Sequence, residues 1–316
     1  MKAAVRLKYG LPEVLSIKKV AIPTPKENEV LIRVYATTVN RSDCHVLWGK
    51  PFFMRLFTGL FKPRLASTGT DFAGQIVAIG DGVQTFKVGD KVMGFGGVFG
   101  CGSHAQYLSL PETKAMIIMP DKLNYEEAAA CLEGAIYAFG NNRLNPHTGQ
   151  KALVIGATGA IGSAMVQILK SFGTNVIAVC QGENKALVES LGADIVIDYT
   201  KEDFTNGKDA YDFVFDAVGK SSFGKCKPIL KKHGIYSSSQ PSLLRALTTS
   251  LSGGRREVFL PPPNIKAALR FIKDLIEKNC FWPVIDKKYP LEKIVEAFNY
   301  VASGQKIGNV IITMDD

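Results

Sequence analysis

Residues 40–45, Asn-Arg-Ser-Asp-Cys-His, place a cysteine directly before a histidine, just after an apolar, strand-like segment. Thiolate and imidazole are the side chains that zinc prefers in proteins, so Cys44 and His45 suggest a metal site. Adjacent side chains on a strand or a helix point in different directions, which argues against joint binding of one ion. The pair alone therefore does not decide whether this protein uses a metal.

A glycine-rich turn lies between a short apolar segment, 151–157, and an apolar helix-like segment, 160–173. Its pattern, Ala157-x-Gly159-x-x-Gly162, is a dinucleotide-binding fingerprint with alanine in place of the first glycine. Gly159 would let the backbone approach a pyrophosphate, Gly162 would let the helix pack on the strand, and a helix N-terminus favours the anion. Alone the pattern is weak, but its place in a strand–helix series favours dinucleotide binding.

The end of the next strand-like segment, 174–180, bears on the choice of nicotinamide cofactor. An NAD-selective site usually carries an acidic residue there, which binds the ribose 2′-hydroxyl. Cys180 occupies that position, and Lys185 lies nearby, where it could attract a 2′-phosphate. The alternative for Lys185 is a solvated residue in the first turn of its helix. The missing acid favours NADP(H) as the cofactor.

The segments that position these motifs change character near residue 121. Residues 1–120 contain alternating or β-branched runs broken by glycine and proline, which predict an antiparallel, barrel-like β domain. Residues 121–261 alternate strand-like and helix-like runs, which predict a parallel sheet with right-handed crossovers. We expect the segment 262–316 to return to the first domain or to cover the cleft.

The composition excludes several classes of protein. The chain has 316 residues, of which 46% are hydrophobic and 21% charged, as in a globular protein large enough for two domains. No apolar run approaches the ~18 residues of a membrane span, and Arg6 and Lys8 leave no room for the core of a signal peptide. The net charge of +9 is dispersed and accompanies no nucleic-acid-binding module. Six scattered cysteines indicate reduced thiols and a cytoplasmic location.

The order of motifs over nearly the whole chain resembles the medium-chain dehydrogenase/reductase superfamily, and within it the zinc-free quinone oxidoreductase branch. The resemblance rests on YGLPEVLSIKKVAIPTPKENEVLIRVYATTVNRSD, GTDFAGQIVAIGDGVQTFKVGDKVMGF, GATGAIGSAMVQILK, LGADIVIDYTKEDF and YDFVFDAVGKSSF. It implies an α/β fold with a GroES-like β-barrel catalytic domain, residues 1–120 completed by 262–316. A Rossmann domain with a doubly wound parallel sheet, residues 121–261, is inserted between them. The resemblance also implies a homodimer.

The metal question can then be taken position by position. In the zinc alcohol dehydrogenases of this superfamily the first ligand is the cysteine of a C-x-x-D motif, and Asn40 stands in its place. The second is the histidine of a Gly-His-Glu motif, and Thr70 stands in its place. The third, a later cysteine, falls near Glu133 in a looser match, and the lobe that holds a structural zinc is absent. We therefore expect no metal, and we expect Cys44 to be a small buried residue.

The resemblance implies hydride transfer from the nicotinamide, which the missing acid suggests is that of NADPH, to a quinone or an α,β-unsaturated carbonyl. Such acceptors are already electrophilic, so orientation and exclusion of water remain the tasks of the protein. Asn40 is the expected contact to the nicotinamide and the substrate, and Asp43 is expected to hold the loop by a local hydrogen bond. His45, Tyr137 and Trp48 are candidate proton or hydrogen-bond donors, or ordinary pocket packing. The alternatives are a secondary alcohol or aldehyde dehydrogenase, and a protein that binds NADPH without turnover.

The resemblance also assigns cofactor contacts to particular residues. Those expected at the pyrophosphate are Thr158, Gly159, Ala160 and Ile161, beside Gly162. Those expected along the adenosine groove are Ala217, Val218 and Gly219, and Tyr199 is expected against the adenosine-side ribose or its phosphate. Cys180 and Lys185 are the residues already selected near that ribose from the end of the strand-like segment. Asn309, in the closing strand, is a further expected contact.

Residues 51–65, PFFMRLFTGLFKPRL, depart from the shortest family members. This insert combines four phenylalanines with three basic residues. The sequence leaves three roles open: a hydrophobic lid over a bulky substrate, a loop packed against the C-terminal segment, or a contact with a membrane surface.

Overall fold

The computed structural model describes residues 1–97, 99–140, 144–208, 210–239, 256–258 and 261–314. The chain forms two compact units. The first comprises Met1–Glu133, Ile265–Glu277 and Trp282–Asp316, and the second comprises Gly134–Asn264 and Lys278–Phe281.

The described part of the chain contains strands and helices with the following bounds. The described strands are β1 (Lys2–Val5), β2 (Ser16–Lys19), β3 (Glu29–Val39), β4 (Asp71–Ile79), β5 (Lys91–Phe95), β6 (Tyr107–Pro111), β7 (Met116–Ile118), β8 (Lys151–Ile155), β9 (Asn175–Cys180), β10 (Ile195–Asp198), β11 (Tyr211–Asp216), β12 (Leu230–Ser238), β13 (Arg256–Val258), β14 (Ile285–Pro290) and β15 (Asn309–Thr313). The described α-helices are α1 (Arg41–Trp48), α2 (Arg55–Thr58), α3 (Tyr125–Ala130), α4 (Glu133–Gly140), α5 (Ala160–Ser171), α6 (Lys185–Ser190), α7 (Phe223–Cys226), α8 (Ile265–Glu277) and α9 (Ile294–Ser303).

The first unit is built on a seven-stranded sheet with the order β14-β15-β3-β4-β5-β7, and β6 also pairs with β3. Neighbouring strands are antiparallel except β14 and β15. The long strand β3 carries the buried side chains Val30, Ile32 and Val34 at alternating positions, as one buried face of a sheet requires. Because β15 pairs with β3, the end of the chain completes the sheet that its beginning started.

The first unit extends to Glu133, beyond the predicted limit at residue 120. The reason is that α3 packs against β3, β4 and β15 of the first sheet. Helix α3 is the first of the helices that follow residue 121, but by its contacts it belongs to the β-rich first unit.

The second unit contains a parallel sheet with the order β10-β9-β8-β11-β12-β13. Strands β8 and β9 are almost continuously apolar and buried, which suits strands covered on both faces. The chain runs outward from β8 to β10 and then returns to β11 on the other side of β8. At such a reversal the loops after the two central strands diverge and leave a crevice for a ligand. No helix among the described residues has the length and apolar character needed to cross a membrane.

Candidate functional site

The turn between β8 and α5 depends on two glycines that the backbone requires. Gly156 has a φ of 78°, and a Cβ there would lie 2.5 Å from Cγ1 of Val218. Gly162 lies in the first turn of α5, and a Cβ there would lie 2.1 Å from the carbonyl oxygen of Gly156. The expected close packing of the helix on the strand at Gly162 is confirmed. The glycine that the tight turn requires is Gly156. The sequence analysis did not select it, because the pattern used there began at Ala157.

Gly159 meets a different requirement. It is the N-cap residue of α5 with a φ of −72°, and among the described residues a Cβ there would have one neighbour within 4 Å, the Gly156 oxygen at 3.6 Å. Thr158, Ala160 and Ile161 beside it are partly exposed. The first N–H groups of a helix have no acceptor within the helix, so this turn offers backbone donors and open space to an anion. The turn therefore fits the pyrophosphate of a dinucleotide.

The residues predicted at the adenosine ribose gather at the end of β9. Cys180 is buried, and its carbonyl oxygen accepts a hydrogen bond of 3.2 Å from the backbone nitrogen of Tyr199. The Tyr199 side chain is 55% exposed, so its ring is open to a ligand. Lys185 lies 3.7 Å from Glu189 on α6, in an exposed ion pair of the kind that contributes little to stability.

An acidic residue that the sequence analysis overlooked stands beside this group. Asp198 pairs in register with Cys180, and a Cβ on Gly182 would lie 2.2 Å from its Oδ2. Asp198 accepts hydrogen bonds from the Thr200 backbone nitrogen (3.0 Å) and Oγ1 (2.7 Å), which lower its pKa. Its Oδ2 also lies 3.8 Å from Nζ of Lys201. The acid thus comes from β10 rather than β9, and only the register of the two strands reveals it.

The loop after β11 is held by one buried carboxylate, Asp216. Its Oδ1 accepts hydrogen bonds from the backbone nitrogens of Val218 (3.3 Å) and Gly219 (2.8 Å). Its Oδ2 accepts one from the hydroxyl of Tyr236 (2.9 Å). Ala217 and Val218 are thereby fixed beside Gly156, at the point where the strand order reverses. The role of Asp216 was not found from the sequence.

In the first unit, Asn40 is the N-cap residue of α1 and is buried. Its backbone nitrogen donates to Oδ2 of Asp43 at 2.9 Å, so the predicted local hydrogen bond is confirmed. Its side-chain Nδ2 donates to Oγ1 of Thr38 (2.6 Å), to Oδ2 of Asp71 (3.0 Å) and to Oγ1 of Thr70 (3.4 Å). Asn40 is thereby held in one orientation by three acceptors.

The three positions matched to zinc ligands meet in this cluster. Thr70 receives the contact from Asn40, and its own Oγ1 donates to Oε2 of Glu133 at 2.6 Å. Ser42 donates to the other Glu133 oxygen, Oε1, at 2.5 Å. Zinc favours thiolate, imidazole and carboxylate ligands. Of the three side chains here, the Asn40 amide nitrogen and the Thr70 hydroxyl already donate hydrogen bonds, so only the Glu133 carboxylate is a usual zinc ligand. This set of side chains therefore does not fit zinc. No cluster of three or more His, Cys, Asp or Glu able to hold a metal occurs in the described part of the chain.

Three buried carboxyl groups give this cluster its electrostatics. Burial, with the nearby Glu133, raises the pKa of Asp71 to about 7. Burial also raises the pKa of Asp43 and of Glu133, and hydrogen bonds from Ser42 and Thr70 partly oppose the shift at Glu133. Lys306 is close enough for its charge to act on Glu133, and burial lowers its own pKa to about 8. Near neutral pH the cluster therefore retains protons that exposed carboxyl groups have lost.

The residues of the opening motif lie on α1 beside this cluster. Cys44 is fully buried in the core, and its Sγ lies 4.0 Å from the carbonyl oxygen of Phe298, so the prediction of a packed residue is confirmed. His45 is partly buried against Trp48, with ring centroids 5.6 Å apart, and burial lowers its pKa. Its imidazole is therefore neutral near pH 7.

Two further residues that the sequence analysis assigned to the site, Tyr137 and Asn309, lie on other elements than Asn40. Tyr137 is partly buried on α4 and belongs to the second unit. Asn309 begins β15 in the first unit, and its Nδ2 donates to the carbonyl oxygen of Val284 at 3.0 Å. His104 is a buried residue that the sequence analysis did not select. Its Nδ1 lies 2.7 Å from Oγ1 of Thr68 in a hydrogen bond. Burial lowers the pKa of His104 to about 4.

Comparisons with known proteins agree with this geometry. Residues 26–121 match the family model for the alcohol dehydrogenase GroES-like domain, and residues 191–312 match the model for the zinc-binding dehydrogenase. The chain is 32% identical to a 2-methylene-furan-3-one reductase of Solanum lycopersicum, over 99% of this chain and 79% of the relative. It is 31% identical to an NADPH-dependent alkenal/one oxidoreductase of Arabidopsis thaliana, with the same coverage. The structure of a quinone oxidoreductase from Coxiella burnetii superimposes with a TM-score of 0.88 at 26% identity, over 100% of this chain and 99% of that one.

Proposed function

The chain belongs to the medium-chain dehydrogenase/reductase superfamily, in its quinone oxidoreductase-like branch, and we propose that it reduces quinones or α,β-unsaturated carbonyl compounds with NADPH and without a metal. The observation that carries this proposal is the set Asn40, Thr70 and Glu133, linked by hydrogen bonds through Thr70 at the positions matched to zinc ligands. The names of the relatives, a methylene-furanone reductase and an alkenal/one oxidoreductase, support the class of acceptor.

The second unit supplies the binding of the cofactor. When bound, NADPH provides the hydride. In this proposal the turn of Thr158, Gly159, Ala160 and Ile161 binds the pyrophosphate, because it combines open space with free helical N–H groups. Val218, held by the buried Asp216, and Ala217, whose backbone nitrogen donates to the carbonyl oxygen of Ile155, border the same crevice.

Preference for NADPH is proposed from the groups around the end of β9. Cys180 cannot repel a 2′-phosphate as a carboxylate would, and Lys185 and Tyr199 are exposed there. Asp198 opposes this preference, but its charge is partly compensated by hydrogen bonds from Thr200 and by the neighbouring Lys201. A Kd for NADH equal to or lower than that for NADPH would contradict the proposal.

At the acceptor end, the chain itself needs to orient the substrate and exclude water, since a conjugated acceptor is electrophilic without a Lewis acid. We assign contact with the nicotinamide and the substrate to Asn40, whose amide is fixed by Thr38 and Asp71. His45 and Tyr137 stay candidates for a hydrogen bond to the acceptor oxygen. Asn309 is proposed as a cofactor contact through its side-chain oxygen Oδ1, because its side-chain nitrogen Nδ2 already donates to the carbonyl oxygen of Val284.

Steady-state oxidation of NADPH with a panel of quinones, enones and saturated ketones tests the proposal. We expect turnover with the conjugated acceptors alone, unchanged after treatment with a chelator, and no stoichiometric zinc in the purified protein. Chelator-sensitive oxidation of a secondary alcohol would instead favour an alcohol dehydrogenase. Binding of NADPH without turnover of any acceptor would favour a non-catalytic binding protein.

Cytoplasmic location and homodimer formation stay predictions. The names of several relatives include the word chloroplastic, so fractionation of cells is the appropriate measurement for location. Light scattering on the purified chain measures the number of protomers.

A further inference from the structure

The insert, residues 51–65, presents an apolar surface to solvent. Its exposed large apolar side chains number seven: Phe52, Phe53, Leu56, Phe57, Leu60, Phe61 and Leu65, with Phe61 90% exposed. Phe57 also stacks on the ring of the exposed Phe99, with centroids 4.9 Å apart. Single exposed apolar residues are ordinary on a protein surface, but seven of them within one short segment mark a candidate contact surface.

The polar side of the insert is bound to the first unit, so the exposure is not that of an unattached loop. The hydroxyl of Tyr9 lies 2.8 Å from Oγ1 of Thr58 and donates to the carbonyl oxygen of Gly59 at 2.6 Å. The guanidinium of Arg55 lies 4.5 Å from the centroid of the Tyr9 ring, and its Nε donates to the carbonyl oxygen of Gly49 at 3.1 Å. These contacts fix the backbone and leave the apolar side chains pointing outward.

The charged residues of the insert itself are all basic. No acidic residue occurs between Asp43 and Asp71, whereas Lys50, Arg55, Lys62 and Arg64 lie within or next to the insert. A second copy of this surface would bring like charges together, which opposes self-association through it. An anionic partner with an apolar interior complements both the charge and the apolar side chains.

We propose that the insert docks the protein onto a membrane surface that contains anionic lipid. Phenylalanine and leucine side chains would enter the boundary between headgroups and acyl chains, while Lys62 and Arg64 would contact anionic headgroups. The contact is peripheral, and it falls in strength with salt because the electrostatic part is screened. The inference does not depend on the proposed reaction, since it rests on the surface of the first unit alone.

Flotation with vesicles tests this inference with the full chain. We expect wild type to float with vesicles of phosphatidylcholine and phosphatidylglycerol at low salt, and far less with phosphatidylcholine alone. Each basic residue at an anionic surface strengthens binding about fivefold, so Lys62→Glu with Arg64→Glu should weaken it on the order of 25-fold or more. Leu56→Ser with Phe61→Ser should weaken it about tenfold.

Matched controls carry the same changes elsewhere on the surface. Val88→Ser with Ile195→Ser replaces two side chains that are 57% and 56% exposed, and Lys227→Glu with Lys232→Glu reverses two exposed lysines. Both should retain vesicle binding within about twofold of wild type. Thermal melting checks that every variant is folded.

Three results would overturn the inference. One is failure of wild type to float with anionic vesicles. A second is a Leu56→Ser, Phe61→Ser variant that binds vesicles like wild type but has a raised KM for a water-soluble acceptor, which would identify a substrate lid. The third is loss of a dimer in that variant, by light scattering, with vesicle binding unchanged, which would identify an interface between copies.

Discussion

Replacing Gly162 by alanine tests the close packing of α5 on the strand that precedes it. The new Cβ would lie 2.1 Å from the Gly156 oxygen, 2.8 Å from its carbonyl carbon and 2.9 Å from Cα of Ala157. Non-bonded heavy atoms are at their optimum at about 3.5 Å, so the helix or the turn must move by more than about 1 Å. All three neighbours are backbone atoms, and rotation of a side chain cannot relieve the clash.

The cost can be worked from these contacts. Overpacking costs about 1–3 kcal/mol, and the upper end applies because only backbone can yield. The better helix propensity of alanine returns at most about 1 kcal/mol, which leaves about 2 kcal/mol of destabilisation for Gly162→Ala. For a unit of this size that corresponds to a Tm about 6–10 °C lower.

The matched control is the same substitution at Gly159, three residues earlier. Its φ of −72° suits alanine, and the nearest atom to the new Cβ is 3.6 Å away. Loss of glycine at an N-cap costs up to about 1 kcal/mol, so the Tm should fall by less than about 4 °C. The methyl group would fill the space through which a pyrophosphate approaches, and the Kd for NADPH should rise at least about tenfold.

Thermal melting without ligand and fluorescence titration with NADPH measure the two effects separately. We expect Gly162→Ala to be the less stable variant and Gly159→Ala to be folded but poor in binding. Wild-type affinity in a folded Gly159→Ala variant would show that the turn does not hold the cofactor. A wild-type Tm in Gly162→Ala would refute the packing argument itself.

Three further substitutions test the two sites. Lys185→Ala should raise the Kd for NADPH about fivefold and leave that for NADH unchanged; an equal effect on both would contradict contact with the 2′-phosphate. The raised pKa of Asp71, about 7, means that the folded state keeps a proton that the unfolded state releases near pH 4, so stability falls as pH rises through this window. Asp71→Asn should remove up to about 3 kcal/mol of the difference in unfolding free energy between pH 5 and pH 8, measured by urea unfolding, and an unchanged profile would contradict it. Asp216→Asn should lower the Tm by several degrees and weaken NADPH binding, because the loop after β11 loses a charged acceptor; a change in neither would show that the loop holds itself.

Much of the second unit follows from local sequence. Segments 151–157 and 174–180 are almost continuously apolar because parallel strands are buried on both faces, and they form β8 and β9. The sequence analysis placed the domain boundary at residue 120, whereas the first compact unit extends to Glu133. The segment Tyr125–Ala130 has a helical sequence, but nothing in that sequence states which sheet it packs against. That choice is made by contacts between distant parts of the chain.

The candidate sites show the same division between local pattern and distant contact. Asn40 and the turn at Gly159 were selected from the sequence because each lies within a short, recognisable motif. Asp198 was missed because it reaches the end of β9 only through the parallel register of β10 with β9. Asp216 was missed because its partners are backbone N–H groups, which every sequence contains.

The buried cluster at Asn40 shows that having other side chains at the positions matched to zinc ligands has a second consequence besides the loss of ligands. The buried acidic group at one of those positions needs compensation for its charge. A zinc ion would carry positive charge to this place, and without it a buried carboxylate such as Glu133 needs other compensation. Ser42 and Thr70 supply it through two short hydrogen bonds, and Lys306 adds a positive charge within electrostatic range. The hydroxyl of Thr70 therefore stabilises Glu133 directly, while Glu133 orients Thr70 towards Asn40. The side chains at the three positions are linked through Thr70 into one hydrogen-bonded unit, and a change at Asn40 or Thr70 therefore alters the surroundings of the Glu133 carboxyl group and its pKa.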